Sequence, residues 1–164
     1  MVLEAMPTLT PLGRPIPEFL MLWEPAIPLW WRANHSNISQ RVNGGLDEVR
    51  SLLASIDGRS WPWTALTGSP EHNTPWAQAL GSPRALVVEI STLRGPHSVY
   101  ARDVPRGEAR ELPPGCRDWV ESAFNDELHD VDGAMLIALR HLLDLPLDDR
   151  YGLRPLRKQA HRRY

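Results

Sequence analysis

The segment DELHDVDG, residues 126–133, is the densest group of ionisable side chains in the sequence. It contains four carboxylates, of Asp126, Glu127, Asp130 and Asp132, and the imidazole of His129. A histidine followed directly by an aspartate can ligate a metal ion that activates water for phosphoester hydrolysis. Acidic residues in front of a helix also complement the positive charge at its N-terminus. We favour the second interpretation, an acidic helix junction, and predict neither a metal nor another cofactor.

The pair His129–Asp130 resembles the central element of the HD-type metal-dependent phosphohydrolases. The resemblance covers these two residues and implies a wholly helical fold with an upstream histidine and a downstream aspartate as further ligands. Only His97 and either Asp144 or Asp148 match those positions, and the residues around His97 have the pattern of a strand. A metal-dependent hydrolase centred on His129 and Asp130 is therefore kept as an alternative hypothesis.

Cys116 is the only cysteine, and it follows Pro-Pro-Gly at a predicted helix start. The helix dipole and Arg117 would favour a thiolate there, but a catalytic dyad also needs a histidine within reach. The six histidines are scattered, and the nucleophile-elbow and phosphate-loop motifs are absent from the sequence. We therefore predict no catalytic residue. One cysteine cannot form a disulfide within the chain, which favours a reducing cytoplasm.

Three of the seven tryptophans lie in residues 17–34, where an apolar run from Phe19 to Trp31 is interrupted by Glu24 and two prolines. A membrane span needs about 20 apolar residues without interruption, so we predict no membrane insertion. Neighbouring residues of a strand point to opposite faces, so Trp30 and Trp31 are either both covered or leave one indole for a partner. Tryptophan anchors many protein interfaces. We predict that a protein partner contacts aromatic and acidic residues, namely Trp23, Trp30, Trp31, Trp76, Asp126, Glu127 and Asp130.

Charge is distributed unevenly near the C-terminus. Residues 118–149 hold nine acids and one base, whereas residues 150–164 hold six bases and no acid. This basic segment either contacts nucleic-acid phosphates, folds back on the acidic helices, stays solvated or contacts a protein partner. A nucleic-acid-associated regulator is thus an alternative function, and its binding residues would be Arg150, Arg154, Arg157, Lys158, Arg162 and Arg163.

The pattern of predicted strands and helices indicates an α+β fold, with a small antiparallel sheet packed by helices. We predict strands near 84–93 and 97–104, and two further strands at 19–23 and 29–32. Helices are predicted near 46–56, 116–128 and 131–144, the last with either Asp130 or Asp132 as its N-cap. Residues 59–83 are predicted to form a long loop in which TPWAQAL adds one helical turn. The domain would span residues 18–149, between a proline-rich arm at 1–17 and a basic tail at 150–164.

Composition supports one globular domain, since the chain has 164 residues and 42% of them are hydrophobic. The net charge of −2 implies no general affinity for polyanions. Arginine supplies 17 of the 18 basic residues, which suggests a GC-rich bacterial source. We predict a cytoplasmic protein that binds another protein without catalysis, such as an immunity protein, an inhibitor or an adaptor.

Overall fold

The computed structural model describes residues 29–33, 38–70, 75–108 and 123–156 of the chain. Eight strands, two α-helices and one 3₁₀ turn lie within these ranges. In chain order they are β1 (Trp30–Ala33), β2 (Gln40–Arg41), α1 (Gly45–Ala54), β3 (Trp63–Thr67), β4 (Trp76–Ser82), β5 (Ala85–Thr92), β6 (Gly95–Ala101), the 3₁₀ turn (Asn125–Glu127), β7 (Leu128–His129), α2 (Val131–Leu142) and β8 (Tyr151–Pro155).

The strands form one antiparallel sheet in the order β2-β1-β3-β4-β5-β6-β8. The seventh strand departs from this order because β5 has two partners along one edge. Residues 89–92 of β5 pair with β6, whereas Leu86 and Val87 pair with β7. The sheet with its two helices confirms the predicted α+β class. Within the described ranges, neither helix has both the length and the apolar character that crossing a membrane requires.

Both helices pack on one face of the sheet, which we call the helix face. Successive side chains of a strand point to opposite faces, and alternate residues of β5 point to the helix face. These side chains are apolar, so the helices must cover them. Each fully buried aliphatic side chain contributes about 1.5–3 kcal/mol to folding, so this core determines which face the helices occupy. Its central members are Val49 and Leu53 of α1, Leu86, Val88 and Ile90 of β5, and Met135, Ile137 and Leu139 of α2.

The helix ends follow local rules. The carboxylate of Glu48 accepts a hydrogen bond from the backbone N–H of Asn43 at 2.7 Å, which pairs a backbone donor just before the N-terminus of α1. Asp130 is the N-cap of α2, where its Oδ1 accepts from the N–H of Gly133 at 2.7 Å. Asp130 is one of the two predicted caps, and both helices and the strands β1, β5 and β6 lie close to the predicted positions.

The predicted loop at 59–83 is wrong, because it contains β3 and β4. All five residues of β3 are buried, so this strand lacks the polar–apolar alternation by which half-buried strands are recognised. Trp76 begins β4 and therefore does not start a helical turn.

Two further boundaries differ from the prediction. The described end of the predicted helix at 116–128 consists of the 3₁₀ turn and β7. Part of the predicted basic tail is β8, which pairs with β6 and thus belongs to the sheet. The predicted arm at 1–17, the predicted strand at 19–23, residues 116–122 and residues 157–164 lie outside the described ranges.

Candidate functional site

A row of polar side chains crosses the face of the sheet opposite the helices, which we call the second face. Gln78 of β4 pairs with Glu89 of β5, Glu89 pairs with Ser98 of β6, and Ser98 pairs with Arg154 of β8. Directly opposed residues point to the same side of a sheet. Gln78, Glu89 and Ser98 are all buried. Because buried polar groups destabilise a fold unless they are hydrogen-bonded, this row requires polar partners.

Glu127 supplies such a partner for two members of the row. Its side chain is 0% exposed, and it accepts a hydrogen bond from the Ser98 hydroxyl. Arg154 donates from Nε to Oε1 at 2.7 Å and from Nη2 to Oε2 at 2.8 Å. Such a bidentate, charge-assisted pair is stronger and more directional than a neutral hydrogen bond. The acidic segment is thereby tied to strand β8.

A second ion pair lies beside the first. Arg106 Nε donates to Asp126 Oδ2 at 3.1 Å, and Asp126 is buried. The Arg106 guanidinium also lies 4.6 Å from the ring centre of Phe124 and 5.2 Å from that of Tyr100. The guanidinium of Arg154 lies 5.3 Å from the same Phe124 ring. Phe124 is thus contacted by both arginines, and cation–π attraction adds to the two ion pairs.

His129 lies in β7 and pairs with Leu86 of β5, beyond the part of β5 that pairs with β6. Its Nε2 lies 2.8 Å from the carbonyl oxygen of Val99. Since a carbonyl oxygen only accepts, Nε2 must carry the proton and donate it. Tyr151 packs on the imidazole edge-on, with 5.7 Å between ring centres. Burial lowers the pKa of His129 below its usual value of 6.5, because the charged ring would lose its hydration.

The two residues on which the hydrolase hypothesis centres, His129 and Asp130, form hydrogen bonds within the fold. His129 Nε2 is bonded to the backbone, and Asp130 caps α2. Asp132 binds Arg50 of α1 at 3.1 Å. Nδ1 of His97 lies within hydrogen-bond distance of Thr92 and Gly95 in the β5–β6 hairpin. In the described ranges, no three histidine, cysteine, aspartate or glutamate side chains converge as a metal site would require.

The predicted partner-binding residues fall into different environments. Asp126 and Glu127 are buried in ion pairs, so they do not present charge at the surface as that prediction requires. Asp130 is partly exposed, but its carboxylate caps α2. Trp76 is partly exposed, and its backbone N–H donates a hydrogen bond to the Ser91 hydroxyl at 2.8 Å. Trp23 lies outside the described ranges.

The two adjacent tryptophans of β1 point to opposite faces of the sheet. Trp31 stacks on Trp61, with 5.9 Å between ring centres and 25° between planes, and packs against the helix-face core. Trp30 points to the second face and is partly exposed. It lies opposite Arg41 of β2 and two residues before Arg32. Trp30, Arg32 and Arg41 therefore form one cluster on the second face, which we call the β1–β2 edge surface.

The described members of the predicted nucleic-acid set contact their own chain. Arg154 binds Glu127 of the 3₁₀ turn. The guanidinium of Arg150 lies 5.0 Å from the ring centre of Tyr151, and its Nε is buried. Arg157, Lys158, Arg162 and Arg163 lie outside the described ranges.

Ser98, Arg106, Gln78 and Glu89 were not among the predicted site residues. One observation could have identified this row. Glu89 interrupts the apolar run ALVVEI, and a charge in the middle of a buried strand requires a polar partner. Comparisons with protein-family models, with curated proteins and with solved structures find no match to this chain.

Proposed function

We propose that this protein acts by binding another protein through the β1–β2 edge surface, without catalysis. The observation that carries the proposal is the partly exposed indole of Trp30, with an arginine beside it on each of two strands. The protein's role would be that of a bacterial, cytoplasmic immunity protein, inhibitor or adaptor that masks its partner.

The composition of this surface supports an interface. Tryptophan and arginine are the residues most enriched among interface positions whose truncation costs at least about 2 kcal/mol of binding energy. Arg41 is exposed, and Ile38, just before β2, is 71% exposed. Large apolar and cationic side chains thus lie together on one short stretch of the chain.

The position of the surface in the sheet supports the same function. Among the described strands, β2 is terminal and only two residues long. An edge strand can pair with a strand of another chain, which adds backbone hydrogen bonds to side-chain contacts. A partner at this edge would reach Trp30 and the β2 backbone together.

The proposal assigns the acidic segment a structural role. Asp126, Glu127 and Asp132 each bind an arginine of the same chain, and His129 binds a backbone carbonyl. Their side chains hold β6, β7, β8 and the helices in place. We therefore assign recognition to the β1–β2 edge surface instead of the acidic segment.

Site-specific photo-crosslinking in the producing cells tests the proposal. A benzophenone amino acid replaces Trp30 in one sample and the fully exposed Leu93, in the β5–β6 turn, in the control. We expect position 30 alone to yield a discrete crosslinked polypeptide. Excess unlabelled wild-type protein should abolish the product, whereas a folded Trp30→Ala variant should compete at least about 10-fold less well, as for a modest hot spot. Equal products from both positions, or no polypeptide at position 30, would refute the proposal.

A further inference from the structure

We infer that the β1–β2 edge surface recognises an acidic polypeptide segment with carboxylates at alternate positions. The inference rests on the proposed function and names the chemistry of its partner. It follows from the charge of the surface and from the spacing of its two arginines.

The guanidinium groups of Arg32 and Arg41 are not neutralised within the described ranges. The ion pairs formed there use Arg50, Arg106 and Arg154 instead. Arg32 is partly buried and follows Trp30 by two positions in β1, on the same face of the sheet. A cation in this position gains from an opposite charge supplied by a partner, because complementary charge speeds encounter and excludes wrong partners.

The spacing of the two arginines matches an extended acidic chain. Trp30 is directly opposite Arg41, so Arg32 and Arg41 are diagonal neighbours across the β1–β2 pair. Diagonal neighbours lie roughly 7–8 Å apart. Side chains at alternate positions of a strand lie about 6.6–6.8 Å apart and point the same way. Two carboxylates at positions i and i+2 of a bound strand can therefore each meet one guanidinium.

A polypeptide fits this surface better than a nucleic acid does. Phosphates repeat along the whole length of a nucleic acid, and non-specific affinity grows with the number that are neutralised. The described residues at this edge supply two arginines. The next charged residues along the chain are Asp47, whose side chain is 94% exposed, and Glu48. Two arginines are enough to pair with two carboxylates, whereas the repeated phosphates of a nucleic acid would need a longer row of cationic side chains.

Fluorescence anisotropy with labelled synthetic peptides tests the inference on the full-length protein. The acidic probe alternates Glu and Val over ten residues, the matched probe alternates Lys and Val, and a ten-nucleotide oligo-dT represents nucleic acid. We expect saturable binding of the Glu–Val peptide and at least about 10-fold weaker binding of the other two probes, equivalent to about 1.4 kcal/mol.

Two variants assign the binding to the surface. The double variant Arg32→Gln/Arg41→Gln removes both charges and should weaken binding of the Glu–Val peptide at least about 10-fold. Arg94→Gln, at the exposed β5–β6 turn, removes one surface charge elsewhere and should leave the affinity within about twofold. Circular dichroism and thermal melts establish that each variant is folded.

Several results would overturn the inference. These are no saturable Glu–Val binding below about 1 mM peptide, equal binding of the Lys–Val peptide, or unchanged affinity in the double variant. Tighter binding of oligo-dT than of the Glu–Val peptide would overturn it in favour of nucleic acid. Crosslinking separates this failure from failure of the proposed function. If Arg32→Gln/Arg41→Gln captures the position-30 polypeptide as well as the parent does, protein binding stands and the acidic partner is refuted.

Discussion

The buried pair of Glu127 and Arg154 should be the most sensitive polar contact of the fold. Glu127 is 0% exposed, whereas the Arg154 side chain is 21% exposed. Removing one partner of a buried ion pair costs about 3–5 kcal/mol, because the other charge is left uncompensated. The two single substitutions are not equivalent, since one leaves a buried carboxylate and the other leaves an arginine that can turn towards solvent.

We expect Arg154→Leu to lower the free energy of unfolding by about 3–4 kcal/mol, since Ser98 is then the remaining described donor to Glu127. Glu127→Leu should cost about 2–3 kcal/mol, because Arg154 recovers part of its hydration. In the double variant both charges are gone, so the coupling energy between the two positions should be at least about 2 kcal/mol. The double variant should thus be more stable than the sum of the single effects implies.

Urea denaturation followed by circular dichroism measures these differences. For a slope of about 2 kcal/mol per molar urea, a loss of 3 kcal/mol moves the midpoint by about 1.5 M. Asp47→Asn is the matched control, because Asp47 pairs with Arg50 at the surface, where ion pairs contribute about 0–1 kcal/mol. Strictly additive single effects, or an Arg154→Leu variant no less stable than the control, would refute the structural role of the pair.

Two further predictions concern strand contacts near this pair. Burial lowers the folded-state pKa of His129 below the unfolded value of 6.5, so unfolding takes up a proton below pH 6.5. The free energy of unfolding should therefore not depend on this group above pH 6.5. Below that pH it should fall by up to about 1.4 kcal/mol per pH unit. Denaturation of wild type and His129→Gln between pH 7.5 and 5 checks this, and parallel curves for the two proteins would contradict it. A Cβ at Gly152 would overlap the Tyr100 ring, so Gly152→Ala should cost about 1–3 kcal/mol by overpacking. In a Tyr100→Ala background the same change should be neutral or stabilise by up to about 1 kcal/mol, as replacing a strand glycine normally does; a cost that persists in that background would show that another contact requires the glycine.

Elements with a strong local pattern are the ones that the sequence predicted correctly. In α2 the capping aspartate precedes a continuous apolar run, and in the β5–β6 hairpin a β-branched run ends at a glycine with φ of +103°. Both depend on residues close together in the chain. Strand β3 was missed because both of its faces are buried, so its sequence shows neither the period of a half-buried strand nor the length of a helix.

The acidic segment shows where prediction from sequence fails. DELHD was identified as the densest ionisable cluster, yet its carboxylates were assigned to the surface. Charge is normally exposed, and a buried carboxylate requires a cation from elsewhere in the fold. Glu127 binds Arg154, which lies 27 positions away in the sequence. Asp126 binds Arg106, which lies 20 positions away. Neither distance follows any local periodicity.

The fold class, the two helices and the β5–β6 hairpin could be predicted from sequence alone, because each depends on neighbours within a few residues. Tertiary contacts were needed to establish that Glu127 is buried, that β8 belongs to the sheet, and that Trp30 and Trp31 have different environments. Those outcomes depend on which strands pair and in what register. Strand pairing is a property of distant segments and of the burial they share, and no single stretch of sequence specifies it.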